Sequence, residues 1–245
     1  MYHFFAKEQS AAEGVIVLTG QDAWHIGHVL RLRPGDRIRV SDKDDRDAVC
    51  EITRIQSDAV ETRVLPEAVE DTELPVRIVL FQGLPKADKM EWILQKCVEL
   101  GAAAFVPVEM KRCVMKLDAG KKEARRERWQ KLAESAAKQS GRRILPEVLP
   151  VMSFEDALRA ARETDAIVVP YEASEGMARS REVFSALPRG GTAALFIGPE
   201  GGFDPSEIEA LESAGGVCVS LGHRILRTET AGMAALAMCA ILLED

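Results

Sequence analysis

The sequence predicts an α/β protein, with a small β-rich module followed by a larger domain built on a parallel sheet. Two observations carry this prediction. Short alternating and β-branched runs fill the first 70 positions, whereas strand-like apolar runs alternate with helical patterns from residue 76 onward. Strands that alternate with helices favour a parallel sheet covered on both faces. Because the polar segment EDTELP (70–75) ends in proline, we predict domains at residues 1–72 and 73–245.

The amino-terminal module contains three strand-like stretches and one helical stretch. The strand-like stretches are VIVL (15–18), RIRVSD (37–42) and the longer run 49–65, and PGD (34–36) is a turn signal. A helical pattern covers about residues 22–30. We interpret the module as a compact β-barrel.

The second domain shows five strand-like runs and five helical patterns. The strand-like runs are 76–82, 103–108, 165–170, 192–197 and 216–221. The helical patterns are 89–100, 119–140, 153–162, 205–213 and 228–243. Ser153, Asp204 and Thr228 are the predicted N-caps, and Pro205 follows its cap as a first helical residue. The last helix is apolar almost all round, so we expect it to lie deep in the domain or against a second copy.

Composition excludes several classes of protein. No stretch approaches the ~20 apolar residues that a membrane span needs, and the start of the chain does not resemble a secretion signal. Five widely spaced cysteines, with no C-x-x-C pair and no neighbouring histidine cluster, favour reduced thiols in a cytoplasmic protein over disulfides or a metal site.

A net charge of −7 argues against indiscriminate nucleic-acid binding, but the charge is unevenly distributed. Residues 111–143 contain twelve Lys and Arg against four acidic residues. The ordinary interpretation is a solvated helix face. The alternative is a local phosphate-binding surface on an otherwise acidic protein.

Three loops follow predicted strands and favour a single pocket, because ligands of such sheets bind beyond the carboxyl ends of the strands. The loops are PYEASEG (170–176), IGPEGGF (197–203) and LGHRILRTET (221–230). The glycine loop, residues 197–203, has neither the lysine of a P-loop nor the spacing of a dinucleotide fingerprint. Because Glu200 would repel a pyrophosphate, the loop suits a neutral or cationic ligand held by main-chain hydrogen bonds. The alternative is a tight turn before a capped helix.

Two arginines precede the last helix, where the helix dipole disfavours positive charge. Arg224 and Arg227 could hold an anionic substrate, or they could form ion pairs with Glu200 or Glu229. Spacing alone leaves both interpretations open.

Together these segments resemble the RsmE family, whose members are SPOUT-class methyltransferases acting on a uridine N3 of small-subunit ribosomal RNA. FIGPEGGF (196–203) and LGHRILRTETA (221–231) are similar to the paired carboxyl-terminal signatures of that family. Three further segments extend the resemblance over most of the chain: HIGHVLRLRPGD (25–36), LPKADKMEWILQKCVELG (84–101) and RWQKLAESAAKQSGRRILPEV (128–148). Ala87 departs from the glycine expected there.

The resemblance implies a fold, a cofactor and partners. The first domain would be a PUA-like RNA-binding β-barrel, and the second a SPOUT domain with a trefoil knot. The cofactor would be S-adenosylmethionine, the substrate 16S ribosomal RNA in the small ribosomal subunit, and the assembly a homodimer through the last helix. The implied cofactor residues are Pro170, Tyr171, Gly198, Pro199, Glu200, Gly201, Gly202, Leu221, Gly222, Ile225, Leu226 and Thr228.

The same resemblance suggests which residues carry the chemistry. Arg227 is the first candidate to stabilise charge on the deprotonated uridine, and Arg224 is the second. Glu200 and Glu229 are candidates for a general base or for structural partners. The expected RNA contacts are Arg31, Arg33, Arg112, Arg142 and Arg143. His25 and His28 are interpreted as structural or RNA-contacting.

Three alternatives remain at this stage: a methyltransferase of the same class acting on another RNA base, a non-catalytic RNA-binding protein, and a phosphate- or nucleotide-binding α/β enzyme. The missing P-loop lysine disfavours the third.

Overall fold

The computed structural model describes residues 1–172 and 176–244, which form two compact units. Unit 1 comprises Met1–Glu73 and Ala137–Leu145, and unit 2 comprises residues 74–136 and the described part of 146–245. The boundary at 72/73 stays a prediction. Residues 137–145 group with unit 1 although they come from the middle of the sequence.

Unit 1 is built on a curled five-stranded sheet in the order β1-β3-β4-β5-β2. Its strands are β1 (Tyr2–Ala6), β2 (Val15–Thr19), β3 (Arg37–Asp42), β4 (Asp47–Ile55) and β5 (Ala59–Val64). β1 pairs with β3 in parallel, and the other pairs are antiparallel. The run 49–65 therefore forms two strands rather than one, and the sequence analysis did not predict β1.

One face of this sheet forms the core of unit 1, because alternate residues of each strand point inward. Ile16, Ile38 and Ile52 are fully buried there. The helix α1 (Gly20–Trp24) continues into a π-helical turn, His25–Val29, in which Leu30 N donates to His25 O at 2.9 Å. This turn corresponds to the helical pattern predicted over residues 22–30.

Unit 2 contains the remaining strands and helices. The strands are β6 (Arg77–Gly83), β7 (Ala104–Glu109), β8 (Glu147–Val148), β9 (Met152–Ser153), β10 (Ala166–Pro170), β11 (Thr192–Ile197) and β12 (Val217–Val219). The helices are α2 (Lys89–Glu99), α3 (Ala119–Ser140), whose last residues belong to unit 1, α4 (Phe154–Ala161), α5 (Met177–Ser185), α6 (Pro205–Ser213) and α7 (Thr228–Leu243). Among the described residues, no helix is both long and apolar enough to cross a membrane.

The sheet of unit 2 is parallel throughout, as the sequence predicts. Its order is β12-β10-β11-β6-β7-β8, and β9 also pairs with β7. The central strands are buried on both faces, with Phe81 stacked on Phe196 at 4.5 Å between ring centroids. The carboxyl ends of β10, β11 and β12 lie side by side, which brings their following loops to one edge.

The last helix buries one side and leaves the other partly open. Ala235, Leu236 and Cys239 are buried, whereas Ile241 is 78% exposed. The helix therefore has an apolar face that unit 2 does not cover completely.

Candidate active site at the carboxyl ends of the parallel strands

The three loops predicted to form a pocket lie against one another. Tyr171 N donates to Val219 O at 2.9 Å, and the Tyr171 ring meets Phe203 edge-on at 6.5 Å between centroids. Thr228 Oγ1 donates to Gly198 O at 2.7 Å. Residues 173–175 of the loop predicted at 170–176 lie outside the described residues. The described parts of all three loops thus form one cluster.

A pocket lies between the loop after β10 and the loop after β12. The space inside the pocket and in its solvent-open mouth is together about 400 Å³. Its lining residues are Pro170, Tyr171, Glu172, Ser220, Leu221, Gly222, Arg224, Ile225, Leu226 and Ala231. Six of the implied cofactor residues are in this set. The glycine-loop residues and Thr228 do not line the pocket, so the structure places them beside it.

A buried chain of side chains ties the glycine loop to the start of α7. Gln82 Nε2 donates to Thr228 Oγ1 at 2.9 Å, and the Thr228 hydroxyl donates to Gly198 O. The predicted N-cap role of Thr228 is wrong, because Arg227 holds the cap position and Thr228 is the first helical residue. Gln82 Oε1 is buried and has no hydrogen-bond partner among the described residues. A buried carbonyl without a partner costs free energy, and it points to a further donor at this position.

We expect Thr228→Val to loosen this connection. Valine has nearly the same shape but no hydroxyl, so Gly198 O and one Gln82 N–H lose their partner. The free energy of unfolding should fall by about 1–3 kcal/mol, and binding of S-adenosylmethionine should weaken. Chemical denaturation and calorimetry measure the two effects. Thr228→Ser, which keeps the hydroxyl, is the matched control; equal stability of the valine and serine variants would contradict the role of the hydrogen bond.

An ionic link joins the same elements at the surface. Lys89 Nζ lies 3.1 Å from Glu200 Oε1 and 3.2 Å from Glu229 Oε2. The hydrogen bond from Lys89 to Glu200, assisted by Glu229, raises the pKa of the lysine. Lys89 therefore offsets the negative charge of Glu200. The glycine loop should repel a phosphate less than Glu200 alone would.

Glu200 is held as a carboxylate. Partial burial raises its pKa, but the hydrogen bond from Lys86 N at 3.0 Å and the Lys89 ammonium outweigh burial and lower the pKa below its usual value. A carboxylate stabilised in this way is a weak proton acceptor. The structure therefore disfavours Glu200 as a general base.

Neither arginine ahead of α7 takes part in that ionic link. Arg224 and Arg227 are exposed, and neither forms an ion pair with any residue that the structure describes. The alternative in which they pair with Glu200 or Glu229 is therefore wrong, because Lys89 occupies both carboxylates. Ile225, between them, is 82% exposed. Arg224 and Ile225 line the pocket, and Arg227 follows them at the start of α7 without lining it.

The turn of the glycine loop depends on close packing and on one left-handed residue. Gly202 has φ of +68°, a conformation that favours glycine. A Cβ on Gly201 would lie 3.0 Å from Arg112 Cβ, and Arg112 Nη1 donates to Gly201 O at 3.1 Å. Arg112, predicted to contact RNA, thus packs on the glycine loop. The capping box of Asp204 and Glu207 confirms the predicted start of α6.

Gly83 leaves no room for a side chain beneath the glycine loop. A Cβ there would lie 2.7 Å from both Cδ and N of Pro199 and 2.9 Å from Met110 Sδ. We expect Gly83→Ala to destabilise the protein by about 1–3 kcal/mol and to weaken S-adenosylmethionine binding by about tenfold or more, because the loop must move. Thermal unfolding and calorimetry provide the measurements.

Gly120→Ala is the matched control for that substitution. Its Cβ would meet only Asp118 Oδ1, at an ordinary 3.7 Å, in the first turn of α3. Alanine there should be neutral or stabilising by up to ~1 kcal/mol. If the two variants bound the cofactor equally well, the proposed fit of Gly83 under Pro199 would be wrong.

The basic stretch 111–143 is mostly neutralised by ion pairs. Nine of its twelve basic residues have an acidic partner: Lys111, Arg112, Lys121, Lys122, Arg126, Arg128, Lys138, Arg142 and Arg143. This distribution favours the solvated-face interpretation over a dedicated phosphate surface.

The arginines predicted to contact RNA differ in how exposed their side chains are and in whether they form ion pairs. Arg142 is 2% exposed, and its Nε donates to both carboxylate oxygens of Glu73 at 2.9 and 3.0 Å, so a phosphate contact through Arg142 is excluded by burial. Arg143 binds Asp71 and the Asp45 carbonyl. Arg31 and Arg33 are exposed and have no ion pair within the described residues.

Several residues of the site carry no signal in the sequence. Gln82 lies within an apolar strand, Lys89 begins a helix pattern, and Ser180 lies on a helix that the sequence analysis did not predict. The Ser180 hydroxyl donates to Ser220 O at 2.7 Å and accepts from Ser220 N at 3.0 Å, which fixes the loop after β12. A polar residue inside an apolar strand, as at Gln82, is the one signal that could have indicated a buried hydrogen bond.

Comparison with known proteins relates both parts of the chain to RNA-modifying enzymes. Residues 72–240 match the family model described as an RNA methyltransferase domain, and residues 18–65 match an RNA methyltransferase PUA domain. The ribosomal RNA small subunit methyltransferase E of Bacillus subtilis is 41% identical over 233 residues, 94% of this chain and 91% of that protein. The counterpart in Mycobacterium tuberculosis is 34% identical over 98% of this chain and 91% of its own.

Solved structures of methyltransferases are similar to this chain over nearly its whole length. The ribosomal RNA small subunit methyltransferase E from Neisseria gonorrhoeae, bound to S-adenosyl methionine, superposes with a TM-score of 0.82 at 33% identity, over 99% of this chain and 98% of that one. A putative methyltransferase from Legionella pneumophila, in complex with the same cofactor, gives 0.82 at 28% identity, over 98% and 97%.

Proposed function

Because the chain belongs to the ribosomal RNA small subunit methyltransferase E family, we propose that it methylates N3 of a uridine in 16S ribosomal RNA. It is an S-adenosylmethionine-dependent ribosomal RNA methyltransferase. The observation that carries the proposal is the pocket at the ends of β10 and β12, which lies beside a glycine loop locked onto α7.

The pocket residues suit the cofactor. Leu221, Ile225 and Leu226 offer an apolar wall for an adenine, and the loop backbone around Gly222 offers main-chain hydrogen bonds. Pro170 and Tyr171 close the opposite side. When bound, S-adenosylmethionine supplies an electrophilic methyl group on a sulfonium sulfur. The unpartnered Gln82 Oε1 is a further acceptor close to the glycine loop.

The arginines ahead of α7 would act on the uridine. N3 becomes a good nucleophile only after it loses its proton, and the resulting charge spreads onto O2 and O4. Arg227, which is exposed and forms no ion pair within the described residues, would donate hydrogen bonds to that anion and stabilise it electrostatically. Arg224, at the rim of the pocket, is the second candidate. Alignment of N3 with the methyl group supplies a further part of the rate.

The proton of N3 needs no strong base on the protein if the anion is stabilised in this way. Glu200 is a poor acceptor because its pKa is lowered, and Glu229 is bound to Lys89. We therefore propose that water accepts the proton while an arginine holds the anion.

The family also supports proposals about architecture and partners. Unit 1 would close into a PUA-like barrel, and the loops around α7 would form the trefoil knot of a SPOUT domain. Two copies would pair through the partly uncovered apolar face of α7, which includes Ile241. The substrate would be the small ribosomal subunit in the cytoplasm.

Methylation of isolated small ribosomal subunits tests the function. Subunits from a deletion strain are incubated with the protein and S-adenosylmethionine, and nuclease digests are analysed by mass spectrometry. N3-methyluridine in 16S ribosomal RNA supports the proposal. A different methylated base identifies another RNA methyltransferase, whereas cofactor and RNA binding with no product would indicate a non-catalytic binder.

A further inference from the structure

The segment Trp24–Arg33 of unit 1 presents an unusual surface. Its inward residues Ile26, Leu30 and Leu32 pack on the core of the unit, as does Ala23 just before the segment. Its outward residues include Trp24 and Val29, each 53% exposed, so an aromatic and an aliphatic side chain lie on the surface within one short segment. The segment therefore has a well-anchored inner side and an exposed aromatic and apolar outer side.

The exposed Trp24 ring stacks on a neighbouring ring. The rings of Trp24 and His28 stack at 5.4 Å between centroids and 13° between planes, and His28 Nδ1 lies 3.1 Å from Trp24 O. The π-helical turn His25–Val29 places these two residues one above the other. Such turns occur frequently at functional sites.

Two arginines follow the stacked pair in the sequence. Leu30 N donates to His25 O and Leu32 N donates to Ile26 O, so the backbone of Arg31 is held over the turn, with φ of +54°. Arg31 and Arg33 are exposed and form no ion pair with a described residue. The nearby acids are already engaged: Asp22 pairs with Lys138 at 2.9 Å, and Asp36 accepts from Arg33 N.

We propose that Trp24 and His28 form a stacking platform for an unpaired base of the ribosomal RNA substrate, with Arg31 and Arg33 on the flanking phosphates. Sequence-specific and single-strand RNA binding relies on splayed bases that stack on aromatic, histidine and arginine planes. An exposed stack, followed in the same segment by two exposed arginines that form no ion pair with a described residue, offers both contacts. This inference rests on the proposed function, since it names the part of unit 1 that holds the same substrate.

Binding of a short unstructured single-stranded RNA, compared with a duplex of the same sequence, tests the platform. Trp24→Ala should weaken single-strand binding by about 5- to 150-fold and duplex binding much less. Arg31→Ala should lower the salt dependence of single-strand binding by about 0.7 in log–log slope. Trp92→Ala is the matched control, because Trp92 is also 53% exposed but lies on α2 of unit 2. Equal affinities of the Trp24 and Trp92 variants would overturn the proposal.

Conservative variants and fluorescence separate stacking from folding. Trp24→Phe should keep most of the affinity, whereas Trp24→Leu should lose it, with both variants melting at similar temperatures. Single-stranded RNA should quench tryptophan fluorescence in a Trp92→Phe protein but not in a Trp24→Phe protein. If RNA still quenched the fluorescence of the Trp24→Phe protein, the proposed stacking of a base on Trp24 would be refuted.

Assays on whole subunits distinguish this inference from the proposed function. Trp24→Ala should raise KM for the subunit and leave kcat and the Kd for S-adenosylmethionine unchanged. Normal RNA binding with poor methylation of assembled subunits would instead indicate a protein partner for this surface, which would overturn the inference. Absence of methylation by the unmodified protein would count against the proposed function, and the RNA-binding comparison would still decide the platform.

Discussion

Replacing Arg227 by alanine is expected to lower kcat for subunit methylation by about 10²–10³-fold, the usual loss when one preorganised donor to a developing anion is removed. The Kd for S-adenosylmethionine should change little, because Arg227 does not line the pocket proposed to bind the cofactor. Single-turnover methylation and calorimetry measure the two quantities. No acidic residue within the described part of the chain neutralises this guanidinium, so its charge is available to the substrate.

Arg224→Ala is the matched comparison for Arg227. Both side chains are exposed, but Arg224 lines the pocket. Its loss should therefore raise the Kd for the cofactor more than it lowers kcat. If the two variants show the opposite pattern, the roles assigned to the two arginines must be exchanged. Full activity of Arg227→Ala would remove Arg227 from the chemistry.

A pH profile gives a test that a purely structural role of Arg227 would not pass. Higher pH deprotonates more of the uridine N3 without help from the protein. The kcat of the Arg227→Ala enzyme should therefore rise more steeply with pH than the kcat of the unmodified enzyme. The pH dependence of Arg227→Lys, which keeps a positive charge, should lie between them. Parallel profiles for all three proteins would contradict anion stabilisation by Arg227.

Many helices and buried strands could be predicted because the apolar periodicity and the capping residues that mark them lie within the element itself. The bounds of α3 (Ala119–Ser140) and α7 (Thr228–Leu243) are confirmed, as is the cap of α4 by Ser153. A periodic pattern bounded by a capping residue carries enough information within a few turns. The parallel sheet of unit 2 follows from the alternation of these elements.

Elements with a weak local pattern were missed. The helix α5 (Met177–Ser185) buries only Ser180 and Phe184, so it lacks an apolar stripe, and the Ser180 hydroxyl donates to the distant Ser220 O. In β1, the buried His3 interrupts an apolar run, and its Nε2 forms a hydrogen bond with Ser41 Oγ, 38 residues away, at 2.7 Å. Such residues look exposed in the sequence, because their hydrogen-bond partners are distant.

In the candidate site, too, some features could be predicted from local sequence and others depend on distant residues. Its loops could be located from strand ends and glycines, but the partners of its charges could not. Spacing left open whether the arginines pair with Glu200, whereas the residue that pairs with both Glu200 and Glu229 is Lys89, more than a hundred positions away. Long-range ion pairs depend on which strands are neighbours, and no local pattern encodes that order.

Replacing Arg142 by alanine is expected to cost about 3–5 kcal/mol of unfolding free energy, because a buried carboxylate loses its counter-charge. The side chains of Arg142 and Glu73 are 3% and 7% exposed, and Glu73 Oε1 also accepts from Ile144 N at 3.0 Å. Chemical denaturation measures the loss. Arg143→Ala is the matched control: its partner Asp71 is 67% exposed, so the cost should be within about 1 kcal/mol.

A paired substitution separates charge from packing at this position. In Glu73→Gln with Arg142→Met, the glutamine still accepts from Ile144 N, the methionine fills the volume of the arginine stem, and no charge remains buried. Most of the lost stability should return, since the cost in the single variant comes from the stranded carboxylate. The double variant should also keep its RNA affinity, because a residue 2% exposed does not reach a phosphate. If a fully stable double variant bound RNA more weakly, the conclusion that burial keeps Arg142 from contacting a phosphate would be wrong.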